Sequence, residues 1–125
     1  MPIRKILLVD DSRTELHHIS RLLERKGFSV RTAENGDEAL LCLHEDKPDL
    51  ILMDVVMPGQ NGYQLTRRIT RDERFADVPV IMCTSKGQES DRVWGMRQGA
   101  RDYIVKPVNG EELIDRKSTR LNSSH

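Results

Sequence analysis

Leu50-Ile51-Leu52-Met53-Asp54 is the stretch on which the fold turns: four apolar residues without alternation, closed by a carboxylate. Strands of a sheet half-exposed to water alternate apolar with polar, whereas a strand covered on both faces is apolar throughout. A run this short, followed by a proline at 58 and glycines at 59 and 62, is therefore read as a central strand with Asp54 at its carboxyl end. Ile6 to Val9 has the same character and stops at Asp10 and Asp11, and Val80 to Thr84 repeats it and leads into Ser85. Ser29 to Ala33 and Asp102 to Val105 are two further, more polar strand candidates.

The intervals between these runs have helical spacing. Leu16, Ile19, Leu22 and Leu23 form one stripe between a capping residue, Ser12, and Gly27, which can take a left-handed backbone. Ala39, Leu40 and Leu43 mark a second helix that stops before Pro48; Leu65 and Ile69 mark a third; Val93 and Met96 mark a fourth that ends at Gly99. A fifth begins near Glu111 with Leu113 and Ile114 facing inward. Strands alternating with helices specify an α/β protein with a parallel sheet. The expected architecture is a five-stranded parallel sheet with helices on both faces, (βα)5 and doubly wound, with the three apolar strands in the middle. From Asp115 the chain reads DRKSTRLNSSH, where Leu121 is the lone apolar residue, so the fifth helix is truncated. Residues 1–114 are accordingly taken as the domain, and 115–125 as a polar, non-native tail.

Composition narrows the function. The 125 residues are enough for one core. Twenty Lys and Arg balance twenty Asp and Glu, which leaves no global basic field for a nucleic acid. No apolar run approaches the roughly 18 residues of a membrane span. The opening Met1 to Arg4 runs straight into a segment that ends at Asp10, too short for a signal peptide, so a cytoplasmic location is expected. Cys42 and Cys83, in no metal-like spacing, are expected to be reduced structural thiols.

In an open parallel sheet, ligands collect at the carboxyl ends of the strands. Here those ends bear Asp10 and Asp11, Asp54, Thr84, and Lys106 followed by Pro107. Any one of the aspartates alone is accounted for as a turn former or helix cap. Three carboxylates brought to one rim repel one another, however, unless a cation lies among them, and a hard divalent ion such as Mg2+ suits oxygen donors. An aspartate beside such an ion and a lysine is placed for phosphoryl transfer.

The pair at 10 and 11, the pattern D-x-x-M-P-x-x-x-G from Asp54 to Gly62, Thr84, and K-P at 106 and 107 together resemble the two-component receiver domain, over residues 5 to 114. That resemblance implies a flavodoxin-like fold in which Asp54 is the phosphoacceptor, loaded from a phosphohistidine on a histidine kinase. It implies a Mg2+ site made by Asp10, Asp11, Asp54 and the backbone carbonyl of Val56. Lys106 would pair with a phosphoryl oxygen, and Thr84 and Tyr103 would carry the change to a surface read by a downstream protein target. The segment KGQESDRVWGMRQGARDYIVKPV, 86–108, further resembles stand-alone receivers that act with a chemotaxis-like kinase in type IV pilus twitching motility.

Two other classes compete. An aspartyl-phosphate phosphatase or phosphotransferase brings a second acid or base to its intermediate, but Val56 and Met57 follow Asp54 here. A flavodoxin-like cofactor binder needs a phosphate loop after the first strand, where Asp10 and Asp11 would repel the phosphate. The chain could also be the receiver fragment of a longer regulator. His17, His18 and His44, and the run Arg67, Arg68 and Arg71, are read as solvated surface, and Trp94 as partly exposed.

Overall fold

The computed structural model describes residues 3–54, 62–84, 99 and 102–105. Along the chain these form β1 (Lys5–Val9), α1 (Arg13–Arg25), β2 (Ser29–Ala33), α2 (Gly36–Glu45), β3 (Leu50–Asp54), α3 (Gly62–Arg71), β4 (Val80–Thr84) and β5 (Asp102–Val105). All neighbouring strands are parallel, in the order β2-β1-β3-β4-β5. The three continuously apolar strands occupy the centre, as their lack of alternation requires. The calls on the fourth and fifth helices, Trp94 and residues 115–125 lie outside the described residues.

Successive side chains of a strand point to opposite faces, and the register turns that alternation into two cores. Leu7, Val9, Ile51, Met53, Val80 and Met82 pack beneath Ala39, Cys42 and Leu43 of α2 and Leu65 and Ile69 of α3. Ile6, Leu8, Leu50, Leu52, Ile81 and Cys83 pack against Leu16, Ile19 and Leu23 of α1. The sheet is thus covered on both faces, with α1 opposite α2 and α3. Leu22, expected on the buried stripe, is half-buried. One side of α1 can hold three apolar positions against a sheet of this width, and Leu16, Ile19 and Leu23 fill them.

Local signals set the helix ends. Ser12 is the N-cap of α1, its side chain accepting the amide of Glu15 at 3.3 Å. Gly27, at φ +94°, takes the left-handed conformation that releases the chain toward β2. Asn35 caps α2 in the same way through the Glu38 amide at 2.9 Å.

At the amino ends of the strands, Asp49 Oδ2 accepts the amides of Arg4 and Lys5, each at 3.0 Å, so that one carboxylate joins the start of β1 to the start of β3. The connection from α3 to β4 contributes core residues that periodicity does not reveal: Phe75 and Val78 are 5% and 4% exposed. His44 meets the Phe75 ring edge-on at 5.5 Å, and Arg74 lies 5.2 Å over the same ring. His44 is exposed, as expected, yet it also receives the Arg74 guanidinium at 3.3 Å. Cys42 and Cys83 are buried and form no disulfide, as expected; burial pushes the Cys42 thiol up.

Candidate functional site

The site grows from two adjacent strand ends. β1 and β3 are paired with Val9 opposite Met53, so the residues that follow, Asp10 and Asp54, emerge side by side at the carboxyl rim. Asp10 extends the ladder by one bond, its amide donating to the Ala33 carbonyl at 3.0 Å. Its Oδ1 accepts the Ser12 amide at 2.9 Å, forming a two-residue turn that leads into α1. Asp11 lies at the apex of that turn and is exposed.

Asp10, Asp11 and Asp54 each offer a carboxylate oxygen, and these three oxygens all lie within 4.8 Å of one another. Asp10 is 2% exposed and Asp54 7%. Two nearly buried carboxylates and one open to solvent, all hard oxygen donors, match the ligand chemistry of a divalent cation of the Mg2+ or Ca2+ type. Without a cation the arrangement sets three like charges against one another. The residues present can therefore hold a metal ion.

Thr84 is the last residue of β4, one beyond Cys83, which is in register with Asp54. The backbone thus carries Thr84 to the same rim. Tyr103 lies on β5 opposite Met82. Val56, Lys106 and Pro107 are outside the described residues. Of the sequence candidates, the structure brings together Asp10, Asp11 and Asp54 and adds the end of β4 beside them. The Ser12 amide, which orients Asp10, was not anticipated in that role; the D-D-S triplet after a strand was its signal, being at once a turn and a cap.

A doubly wound parallel sheet with an acidic cluster at the ends of β1 and β3 defines a class, and residues 6–117 match the response regulator receiver domain. The chain belongs to that family. Its relatives include protein PilH of Pseudomonas aeruginosa, 51% identical over 110 residues, which are 88% of this chain and 91% of PilH. The phosphate regulon transcriptional regulatory protein PhoB of the same organism is 42% identical over 113 residues, 90% of this chain but 49% of PhoB, so the chain spans about half of that regulator. Among solved structures, the chemotaxis protein CheY4 of Vibrio cholerae superposes with a TM-score of 0.88 at 29% identity, covering 95% of this chain and 99% of CheY4.

The protein is thus a receiver domain of a response regulator, homologous to PilH and to CheY-type regulators. Among the described residues, no helix is long and apolar enough to cross a membrane.

Proposed function

We propose that this receiver accepts a phosphoryl group on Asp54 from a histidine kinase of the chemotaxis-like type, and that the modified surface controls a protein target in type IV pilus twitching motility. The observation that carries this reading is the convergence of the Asp10, Asp11 and Asp54 carboxylate oxygens within 4.8 Å. A carboxylate oxygen of Asp54 attacks the phosphorus of the phosphohistidine. The new O–P bond forms as the P–N bond breaks, and the imidazole leaves with its electron pair and takes up a proton. Asp54 is suited to the role because it ends a rigid strand buried on both faces, which fixes the attacking oxygen at the rim.

Asp10, Asp11 and Asp54 would hold Mg2+, with the Val56 carbonyl as a fourth protein donor. Mg2+ when bound neutralises charge on the phosphoryl oxygens. The Ser12 amide keeps Asp10 turned toward the cluster. Lys106 supplies a cation to a phosphoryl oxygen, and Thr84, at the end of β4, supplies a hydroxyl donor. Movement of Thr84 toward the modified Asp54 is passed to Tyr103 on the neighbouring strand β5 and so to the target surface. The aspartyl phosphate persists as a signal and is not the intermediate of a hydrolytic enzyme. We read the domain as residues 1–114 acting alone in the cytoplasm, without nucleic acid or membrane insertion, and 115–125 as a non-native tail. The 51% identity to PilH, over 91% of that protein, supports the motility-linked reading.

Incubation with acetyl phosphate and Mg2+, followed by intact-mass measurement, tests the assignment. One lasting phosphoryl adduct is expected, lost in Asp54→Asn and on chelation of the metal. An adduct that survives in Asp54→Asn overturns the choice of residue; rapid turnover of the donor without an adduct makes the protein a hydrolase.

A further inference from the structure

The zero net charge of this chain conceals two faces of opposite sign. The outer side of α1 is lined by Thr14, His17, His18, Arg21, Leu22 and Arg25, with no carboxylate among them. In α2 and its C-cap, Asp37, Glu38, Glu45 and Asp46 occur with no Lys or Arg. Leu41, on that helix, is the large hydrophobic residue left exposed among the described residues, at 62%.

The two ridges match in pattern as well as in charge. Asp37, Leu41 and Glu45 follow one another at four-residue spacing, so an apolar side chain stands between acids one turn to either side. On α1, half-buried Leu22 stands between His18 and Arg21 on one side and Arg25 on the other. Among the described residues, Arg21, Arg25 and Asp37 enter no ion pair, and Glu45 reaches Arg31 at the long distance of 3.4 Å. Seating Leu22 against Leu41 places a cation of one ridge beside an acid of the other at both ends of the contact.

We propose that α1 of one copy of this chain docks on α2 of a second copy. The two helices cover opposite faces of the sheet, so the contact uses two different patches and repeats head to tail without closing at two copies. The association is electrostatically steered and weak, with a dissociation constant on the order of 1 mM, because exposed ion pairs contribute little individually. It does not depend on phosphorylation of Asp54.

Sedimentation of the full chain over a concentration series tests this. At low ionic strength the average mass should climb progressively above the 14.4 kDa monomer, and it should return to the monomer in about 1 M salt, where the screening length is about 3 Å. Arg21→Glu/Arg25→Glu and Asp37→Lys/Glu45→Lys should each be monomeric, and an equimolar mixture of the two should associate again. Circular dichroism and the acetyl phosphate reaction should be unchanged in both, which separates this contact from the phosphorylation reading. A parent that stays monomeric at low salt overturns the proposal and leaves the basic face of α1 to an acidic partner protein. A mixture that fails to regain mass, or variants that associate as the parent does, overturn it as well.

Discussion

The backbone amide of Ser12 donates to Oδ1 of Asp10 at 2.9 Å, and the carboxylate of the same residue belongs to a cluster with Asp11 and Asp54. One side chain therefore shapes the turn into α1 and also bears the repulsion of the site. The two roles separate by substitution. Asp10→Asn keeps an acceptor for the Ser12 amide and removes the charge, so in chelator it should raise the melting temperature. Each like-charge contact removed is worth on the order of 1 kcal/mol, a shift of a few degrees for a domain of this size. Asp54→Asn should act in the same direction, and Mg2+ should stabilise the parent more than either variant. Thermal unfolding of the parent that ignores millimolar Mg2+ would mean that the three carboxylates share no ion.

Gly99 has φ +101°, and a Cβ built there would lie 2.7 Å from Thr70 Oγ1. Backbone strain and collision both oppose a side chain. Gly99→Ala should cost about 1 to 3 kcal/mol in chemical denaturation. Adding Thr70→Ala should return part of that loss, since it removes the atoms that collide but leaves the positive φ. Complete recovery in the double variant would show that the backbone conformation costs nothing.

Burial alone would raise the Asp49 carboxyl, but the amides of Lys5 and Arg4 outweigh it and hold the group below the ordinary carboxylate value. Asp72, hydrogen-bonded through its side chain to Arg74, is lowered to about 2. Both groups take up protons more readily in the unfolded chain, so their stabilisation is present above about pH 4 and fades as the pH falls toward the folded values. Asp49→Asn should weaken this acid dependence and, by exchanging two charge-assisted hydrogen bonds for neutral ones, cost about 1 kcal/mol at neutral pH. Urea titrations at pH 7 and pH 3 measure both effects; equal acid sensitivity in parent and variant would dismiss the role of Asp49.

Thr66 is fully buried, and its hydroxyl donates to the Met82 thioether at 3.7 Å. A thioether is a weak acceptor, so little is lost when the donor goes. Thr66→Val keeps the branched shape and removes one weak hydrogen bond, so it should change stability by no more than about 1 kcal/mol, in either direction. Thr66→Ser, which opens a methyl-sized void, should be the more damaging. The reverse order in denaturant unfolding would show that the hydroxyl matters more than the volume.

Strands β1, β3 and β4 were legible because burial on both faces leaves a continuous apolar run, and their central positions followed from the same fact. The aspartates were legible because they end those runs. Phe75 and Val78 were not, since they lie in a connection whose buried positions follow no period and are set by what α2 and α3 leave uncovered. Leu22 looked equivalent to Leu23 on the stripe, and the geometry of one helix against a flat sheet separates them. Asp49 reads as a turn residue beside Pro48, and its hold on β1 spans 44 to 45 positions, a distance over which local pattern carries no information. The contact of His44 with Arg74 and Phe75 is hidden for the same reason.

The strand order has a consequence for biosynthesis. Asp10, Asp11 and Asp54 all belong to the first 54 residues, and β2, β1 and β3 are contiguous in the sheet. A chain still attached to the ribosome therefore possesses every described member of the acidic cluster before β4 and β5 have been translated. A three-stranded sheet formed at that stage would bear the mutual repulsion with one side of β3 still open to water. A divalent ion bound by these carboxylates would therefore help to close the half-built sheet as well as serve the finished site.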